Sequence, residues 1–481
     1  MAPGQLLETL PVELRLRILS HFSPHDLAQS ARTCKRLSDI AIPLIWNDIE
    51  LHEVGYHESK RELNVPPPVR DPERRPYHSK QRWSNGQGAA KKAEAFFTML
   101  QTMHEKDPER LAQLTRRVRH LCTTVNPAWR PRTRDYKIIY PDTIQVWHLL
   151  PYFSNLETLE LHGSSYYSQK QEEQVSEILG PTPRLRFVKL WGYMPRAVPA
   201  WLLGAGETLE RLELGMLDRP ISTNLSRSPN FTPLPHEKLK IESDSDSDSD
   251  IEEEDDDNDD DSGDWGSLSG ENVIPRPLGG YLSSFGNSDL AFPKLKHLYL
   301  CQPAESDYDH YRDYAWSKRA ESACYNDWRR ILQACLGTLE TLVLEQRPAA
   351  EYIEGDGKSE LEWMTECTTA RASKSLREMT RTILAGVESL ALQRVYFYGI
   401  WVGAEDQLRE VLEARGIQCE ARLGQWCLFD GNPGTTSWSY WDAAYDSDDD
   451  DDDDDDDEEE EGGGGEQEET MRWDSLLLTS G

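Results

Sequence analysis

Apolar residues along this chain follow two different periods. From residue 10 to residue 46 they recur at helical spacing. Pro11 suits the first turn of a helix, where its missing N–H has no partner to lose, so the pattern predicts a helix from Pro11 to about His21. Steps of roughly 100° place Val12, Leu16 and Leu19 on one stripe and Leu14, Ile18 and Phe22 on a second, roughly 120° away. A terminal helix needs one such stripe to dock on its own core, and this one has two. Ser23-Pro24-His25-Asp26 then reads as a helix start, with Ser23 as the cap, Pro24 at the first position and Asp26 reaching back as a capping box. A third helical segment runs from Cys34 to Trp46. A three-helix unit this small buries too little apolar area to stand alone, so it needs support from the rest of the chain or from a partner.

Further along, the apolar residues fall into a repeated extended phrase, L-x-x-L-x-L, with Val allowed at either of its first two positions. Its copies begin at Leu156, Leu185, Leu209, Leu295, Leu339 and Val387, and a weaker one begins at Val118. Helical patterns precede several of them, at Thr143 to Leu150, Gln171 to Leu179, Trp328 to Leu336 and Leu376 to Leu384. Each unit therefore reads helix, turn, short strand. One such unit cannot hide its apolar strand, whereas stacked neighbours bury one face continuously. The starts fall 29, 24, 86, 44 and 48 residues apart, so the later units must carry insertions.

With the leucines inward, the intervening residues share the opposite face of the strands. These are Thr158, Glu160 and His162; Phe187, Lys189 and Trp191; Arg211 and Glu213; His297, Tyr299 and Cys301; Thr341, Val343 and Glu345; and Ser389 and Gln393. Phe187, Lys189, Trp191, Arg211, Glu213, His297 and Tyr299 are the candidate target-binding residues if this face is open. The other reading has C-terminal or inserted segments covering it.

These residues carry two resemblances. The succession Leu10-Pro11-x-Glu13, Ile18-Leu19, Phe22, Asp26-Leu27, Cys34-Lys35, Leu37 and Leu44-x-Trp46 resembles the F-box, departing only at Leu37, near where many members carry a Trp. The resemblance covers residues 10 to 49 and implies a module that docks on the Skp-type adaptor of a cullin-RING ubiquitin ligase. By that resemblance Leu10, Pro11, Leu14, Ile18, Leu27, Cys34 and Leu44 lie in or beside the adaptor interface, some of them as internal core. The later units resemble a leucine-rich-repeat solenoid. The expected fold class is therefore α/β, a three-helix F-box followed by an irregular leucine-rich-repeat solenoid.

Charge changes the picture in one respect. The net charge of −34 is carried by two tracts, Glu242 to Asp264 with 15 acidic residues and Asp442 to Glu469 with 19, so the remainder is formally neutral. Both tracts are expected to be disordered and solvated. The serines of SDSDSDSD, Ser243 to Ser249, stand in the context acid-directed kinases favour. Lys60 to Lys137 is basic, with 18 Lys or Arg against 8 Asp or Glu, but lacks interleaved aromatics or a reader motif, so nucleic acid is not an expected partner. The acidic tracts are a candidate internal counter-charge.

The expected organisation is an F-box over 1–50, a flexible Pro-rich linker over 51–92, repeats over 93–241 and 293–430, an acidic insertion over 242–292 and an acidic tail over 431–481. The eight cysteines form no C-x-x-C pair and read as reduced thiols. No signal-like start and no long apolar run is present, so a cytoplasmic or nuclear location is expected, with no membrane partner. There is no P-loop or dinucleotide fingerprint, and His52 and His57 are five apart where a zinc-protease helix needs four. No catalytic, cofactor or metal residues are assigned. The sequence points to a non-catalytic substrate receptor of an SCF-type ligase; an acidic histone-chaperone-like protein, or a leucine-rich scaffold outside any ligase, is the alternative.

Overall fold

Three short helices build the N-terminus, each starting for a local reason. The computed structural model describes residues 10–51, 82–125, 144–163, 178–193, 197–217, 290–303, 318–347, 371–386, 390–402 and 406–422. Helix α1 (Val12–Leu19) has Pro11 as its N-cap, one position earlier than expected. Helix α2 (Pro24–Ala31) is capped by Ser23, whose Oγ accepts the Asp26 N–H at 3.1 Å. The same hydroxyl donates to Asp26 Oδ2 at 2.7 Å, so the reciprocal bond of the expected capping box comes from the Ser23 side chain. Helix α3 (Lys35–Asn47) serves two cores. Its Leu37, Ile40 and Ala41 pack with Leu19, Leu27 and Ala31, whereas Trp46 belongs to the large core of the rest of the chain, with its ring 6.1 Å from Phe96.

No loop separates these helices from the sheet. Asp48, the residue after α3, opens β1 (Asp48–Leu51), and β1 is the first strand of a sheet with nine strands among the described residues. The others are β2 (His120–Val125), β3 (Thr158–Gly163), β4 (Phe187–Tyr193), β5 (Arg211–Leu217), β6 (His297–Pro303), β7 (Thr341–Arg347), β8 (Arg394–Tyr398) and β9 (Gln418–Arg422). Every strand pairs in parallel with the next in sequence, and the sheet is open, with β1 and β9 at its edges. Parallel neighbours require crossovers. These contain α4 (Arg82–Lys106), α5 (Pro108–Thr115), a 3₁₀ segment (Val146–Tyr152), α6 (Ala197–Leu203), α7 (Lys318–Cys335), α8 (Arg371–Ala385) and α9 (Gln407–Ala414).

The pleat sends alternate residues to opposite faces, and the register aligns them in rows. One apolar row runs Ile49, Leu121, Leu159, Val188, Leu212, Leu298, Leu342, Val395 and Cys419; the next runs Leu51, Thr123, Leu161, Leu190, Leu214, Leu300, Leu344, Phe397 and Ala421. With residues from the helices they form one continuous core from Trp46 to Ile417. Because β5 pairs directly with β6, the repeats on either side of 242–292 are one sheet.

Several boundaries differ from expectation. Of the strand expected at Val387 to Leu392, residues 387–389 lie outside the described residues and 390–392 are not strand: β8 begins at Arg394, and the working phrase is Leu392-x-x-Val395-x-Phe397, hidden because Phe stands where Leu was sought. Trp46-x-x-Ile49-x-Leu51 is a further copy that starts on an aromatic. The expected helix before β3 is a 3₁₀ segment with Pro151 near its end. Of the expected linker 51–92, Leu51 closes β1 and α4 begins at Arg82. Residues 218–289 and 423–481, which hold both acidic tracts, lie outside the described residues, as does most of the helix expected at Gln171 to Leu179.

Where the strands begin, a ladder of alternating charge crosses the sheet. Arg119 pairs with Glu157, Arg186 with Glu210 through two bonds of 2.7 and 3.1 Å, and Lys296 with Glu340 at 3.1 Å. Glu157 also acts on Arg186, whose guanidinium pKa is raised by its bond to Glu210 and by both carboxylates. Beneath the ladder, the Thr208 and Thr338 hydroxyls each donate to a carbonyl of the preceding repeat, Leu185 at 2.7 Å and Leu295 at 2.9 Å.

Candidate functional site

The first candidate surface is α1. Val12, Leu14, Leu16 and Ile18 are 37–48% exposed, and only Leu19 of this helix is buried. Members of both stripes stand in solvent: Val12 and Leu16 from the first, Leu14 and Ile18 from the second. Only the end of α1 is anchored, so most of its circumference remains uncovered. Of the other expected adaptor residues, Pro11 is exposed, while Leu10, Cys34 and Leu44 are half-buried. Leu27 is one of those that serve as internal core. It is buried in the internal core with Leu19 and Leu37, because its helix packs on α3 through that side.

An exposed apolar helix on a small bundle is costly unless something covers it. Residues 7–52 match the family model described as F-box-like. The N-terminal segment is an F-box-like domain. F-box domains typically bind the Skp adaptor of cullin-RING ligases, which is consistent with a substrate-receptor role. The F-box-like domain includes β1, so it donates the first strand of the sheet. No curated protein and no solved structure matches the chain.

The second candidate surface is the sheet face opposite the apolar rows. The register brings the expected residues together: Thr158, Phe187, Arg211, His297 and Thr341 in one row, and Glu160, Lys189, Glu213, Tyr299 and Val343 in the next. Their exposure is corrected. Phe187, Lys189, Trp191, Arg211, Glu213, His297 and Tyr299 are all between 0 and 3% exposed, and Thr158, Glu160, His162, Cys301, Thr341, Val343 and Glu345 are buried too. This face is therefore not open to solvent; the acidic insertion and the C-terminal tail that the other reading placed over it lie outside the described residues. Ser389 lies outside the described residues, and Gln393 is an exposed residue before β8.

Burial is tolerated because charge and ring meet on this face. Arg211 Nε donates to Glu213 Oε1 at 2.7 Å, and its guanidinium sits 5.3 Å from the Phe187 ring centre. Lys189 Nζ lies 4.0 Å from Glu160 Oε2 and 5.4 Å from the Trp191 ring centre. Trp191 meets Tyr299 edge-on at 5.5 Å, and the Tyr299 hydroxyl donates to Glu345, on which Cys301 Sγ also bears at 3.6 Å. The Trp191 indole lies across Gly215: a Cβ there would stand 2.1 Å from Trp191 Cε3, so only glycine fits. Tyr396 and Tyr398 extend the aromatic surface onto β8, in place of the Ser389 and Gln393 expected there.

At the β2–β3 end of this face, donor atoms of Cys122, Glu160 and His162 all lie within 4.8 Å of one another, and the three residues are buried. No spacing in the sequence announced this group. Cys122 stands 38 positions before Glu160, and only strand pairing places them opposite each other. The described residues contain no helix long and apolar enough to cross a membrane.

Proposed function

We propose that the chain is the substrate receptor of an SCF-type ubiquitin ligase. Its F-box-like domain docks on a Skp-type adaptor, and the parallel-strand region, a leucine-rich-repeat type of stack, carries the target. The observation that carries this reading is α1: four apolar side chains left to solvent in an eight-residue helix, within the segment that matches the F-box-like family. Pro11, Leu14 and Ile18 form the centre of the adaptor surface, with Leu10, Cys34 and Leu44 beside it and Val12 and Leu16 added by their exposure. In this reading the chain catalyses no bond change. It holds a target lysine near a charged conjugating enzyme and raises its effective concentration. A reducing cytoplasmic or nuclear compartment suits its scattered cysteines, which form no C-x-x-C framework.

The repeat assignment rests on the sequential register of nine parallel strands and their two apolar rows. Target contact then belongs to surfaces other than the face of Phe187, Lys189, Trp191, Arg211, Glu213, His297 and Tyr299, or requires that face to be uncovered first. The test is co-purification of the full chain with a Skp-type adaptor, with and without Leu14→Ala plus Ile18→Ala. Loss of the adaptor with an unchanged circular dichroism spectrum is the expected result; undiminished capture by the double variant would overturn the docking surface.

A further inference from the structure

We propose that Cys122, Glu160 and His162 form a metal site of the zinc class on the covered face of the sheet. The pleat makes the site. Glu160 and His162 are two apart on β3 and point to the same face, and Cys122 on β2 is the register partner of Glu160. A thiolate, an imidazole and a carboxylate within 4.8 Å of each other need only a small inward movement to hold one ion. Ligand atoms around tetrahedral zinc lie roughly 3.5 Å apart.

The donor types select the ion. Magnesium and calcium take oxygen ligands, whereas sulfur with imidazole favours zinc among the ions of a reducing compartment. A carboxylate has two oxygens, so Glu160 can keep Lys189 at 4.0 Å on Oε2 and present the other to the metal. Lys189 also offsets part of the negative charge that a thiolate and a carboxylate bring together. All three donors are at most 2% exposed, so bulk water competes poorly for them and the ion is enclosed as the strands pair. Three protein ligands leave one tetrahedral position open, the pattern of a site that accepts a fourth donor. The site does not depend on the adaptor-docking reading: it rests on β2 and β3, away from α1.

The probe is the metal itself on the full-length chain. Purified without chelator, or refolded from denaturant with zinc, the protein is expected to hold about one zinc per chain by elemental analysis. Cys122→Ala and His162→Gln should each lose most of it. Refolding with cobalt should give the sulfur-to-cobalt charge-transfer band and the intense visible bands of a tetrahedral thiolate site, a readout on the unmodified chain that does not depend on any variant folding. Enclosure further predicts that chelator removes the ion slowly from the native protein and rapidly once it is unfolded. Unmodified chain that takes up no zinc, a cobalt spectrum without the thiolate band, or a Cys122→Ala protein that folds and keeps its full metal content would each overturn the assignment. Lys189→Met serves as the neighbouring control and should retain the metal, because Lys189 supplies no ligand; its loss there would mean that the cluster is an ion-pair network.

Discussion

Helix α1 and the covered face of the sheet reverse the usual placement of residue types. The helix leaves Val12, Leu14, Leu16 and Ile18 in water, while the strands take Glu160, Lys189, Arg211 and Glu213 out of it. The helix can do so because Leu19 is its one fully buried residue, which leaves the apolar side chains of the rest of its surface uncovered. The strands can do so because each buried charge meets an opposite charge or a ring close by on the same face. In the proposed reading, the exposed apolar surface of α1 is a reserve for association. Buried charge is matched internally, and it fixes register where leucines alone would permit slippage.

The contrast is broken most severely on the sheet. Glu213→Ala takes the nearest carboxylate away from the Arg211 guanidinium at zero exposure, and the expected loss is about 3–5 kcal/mol, read as a lower urea midpoint. Replacing the pair by Met and Leu together should recover much of that, which would show that matched partners matter more than charge as such. Next in size is a pH effect in the helix layer. Burial pushes the Cys335 thiol up to about 12 from an ordinary 9.0. Over that interval the unfolded chain has given up its proton and the folded chain has not, so stability is whole below pH 9 and falls as pH rises, by up to about 1.4 kcal/mol per unit. Cys335→Ala should flatten that part of the pH–stability curve.

Smaller still is Arg186→Ala in the exposed ladder, expected to cost less than about 1 kcal/mol and to cost less again in high salt. Smallest for stability is Leu14→Ala with Ile18→Ala, whose thermal midpoint should correspond to a change within about 0.5 kcal/mol. A large destabilisation there would mean that these residues belong to the fold, and the comparison between helix and sheet would fail.

Much of the fold was legible because L-x-x-L-x-L carries its own period. Leu156, Leu185, Leu209, Leu295 and Leu339 each mark the approach to a real strand, and Val118 marks β2. What escaped were copies with an aromatic at a leucine position, Trp46 and Phe397, because a side chain's role in a row depends on which neighbours it must fill space against. The helix boundaries near Ser23 and Pro24 were legible since caps are local chemistry. Burial of Phe187, Lys189, Trp191, Arg211, Glu213, His297 and Tyr299 was not, because alternation states which residues share a face and is silent about what lies on it. Likewise periodicity shows two apolar stripes on α1 but cannot weigh how firmly a terminal helix is held. The group of Cys122, Glu160 and His162 was beyond any spacing rule, as it exists only once two strands pair.

The alternating ladder of Arg119, Glu157, Arg186, Glu210, Lys296 and Glu340 imposes a parity on how this architecture can shrink. Excising the single repeat that holds Glu157 would seat Arg119 against Arg186, and excising the one that holds Arg186 would seat two glutamates together. Removing two adjacent repeats restores opposite neighbours. Length variation in such a stack is therefore easier in steps of two than in steps of one.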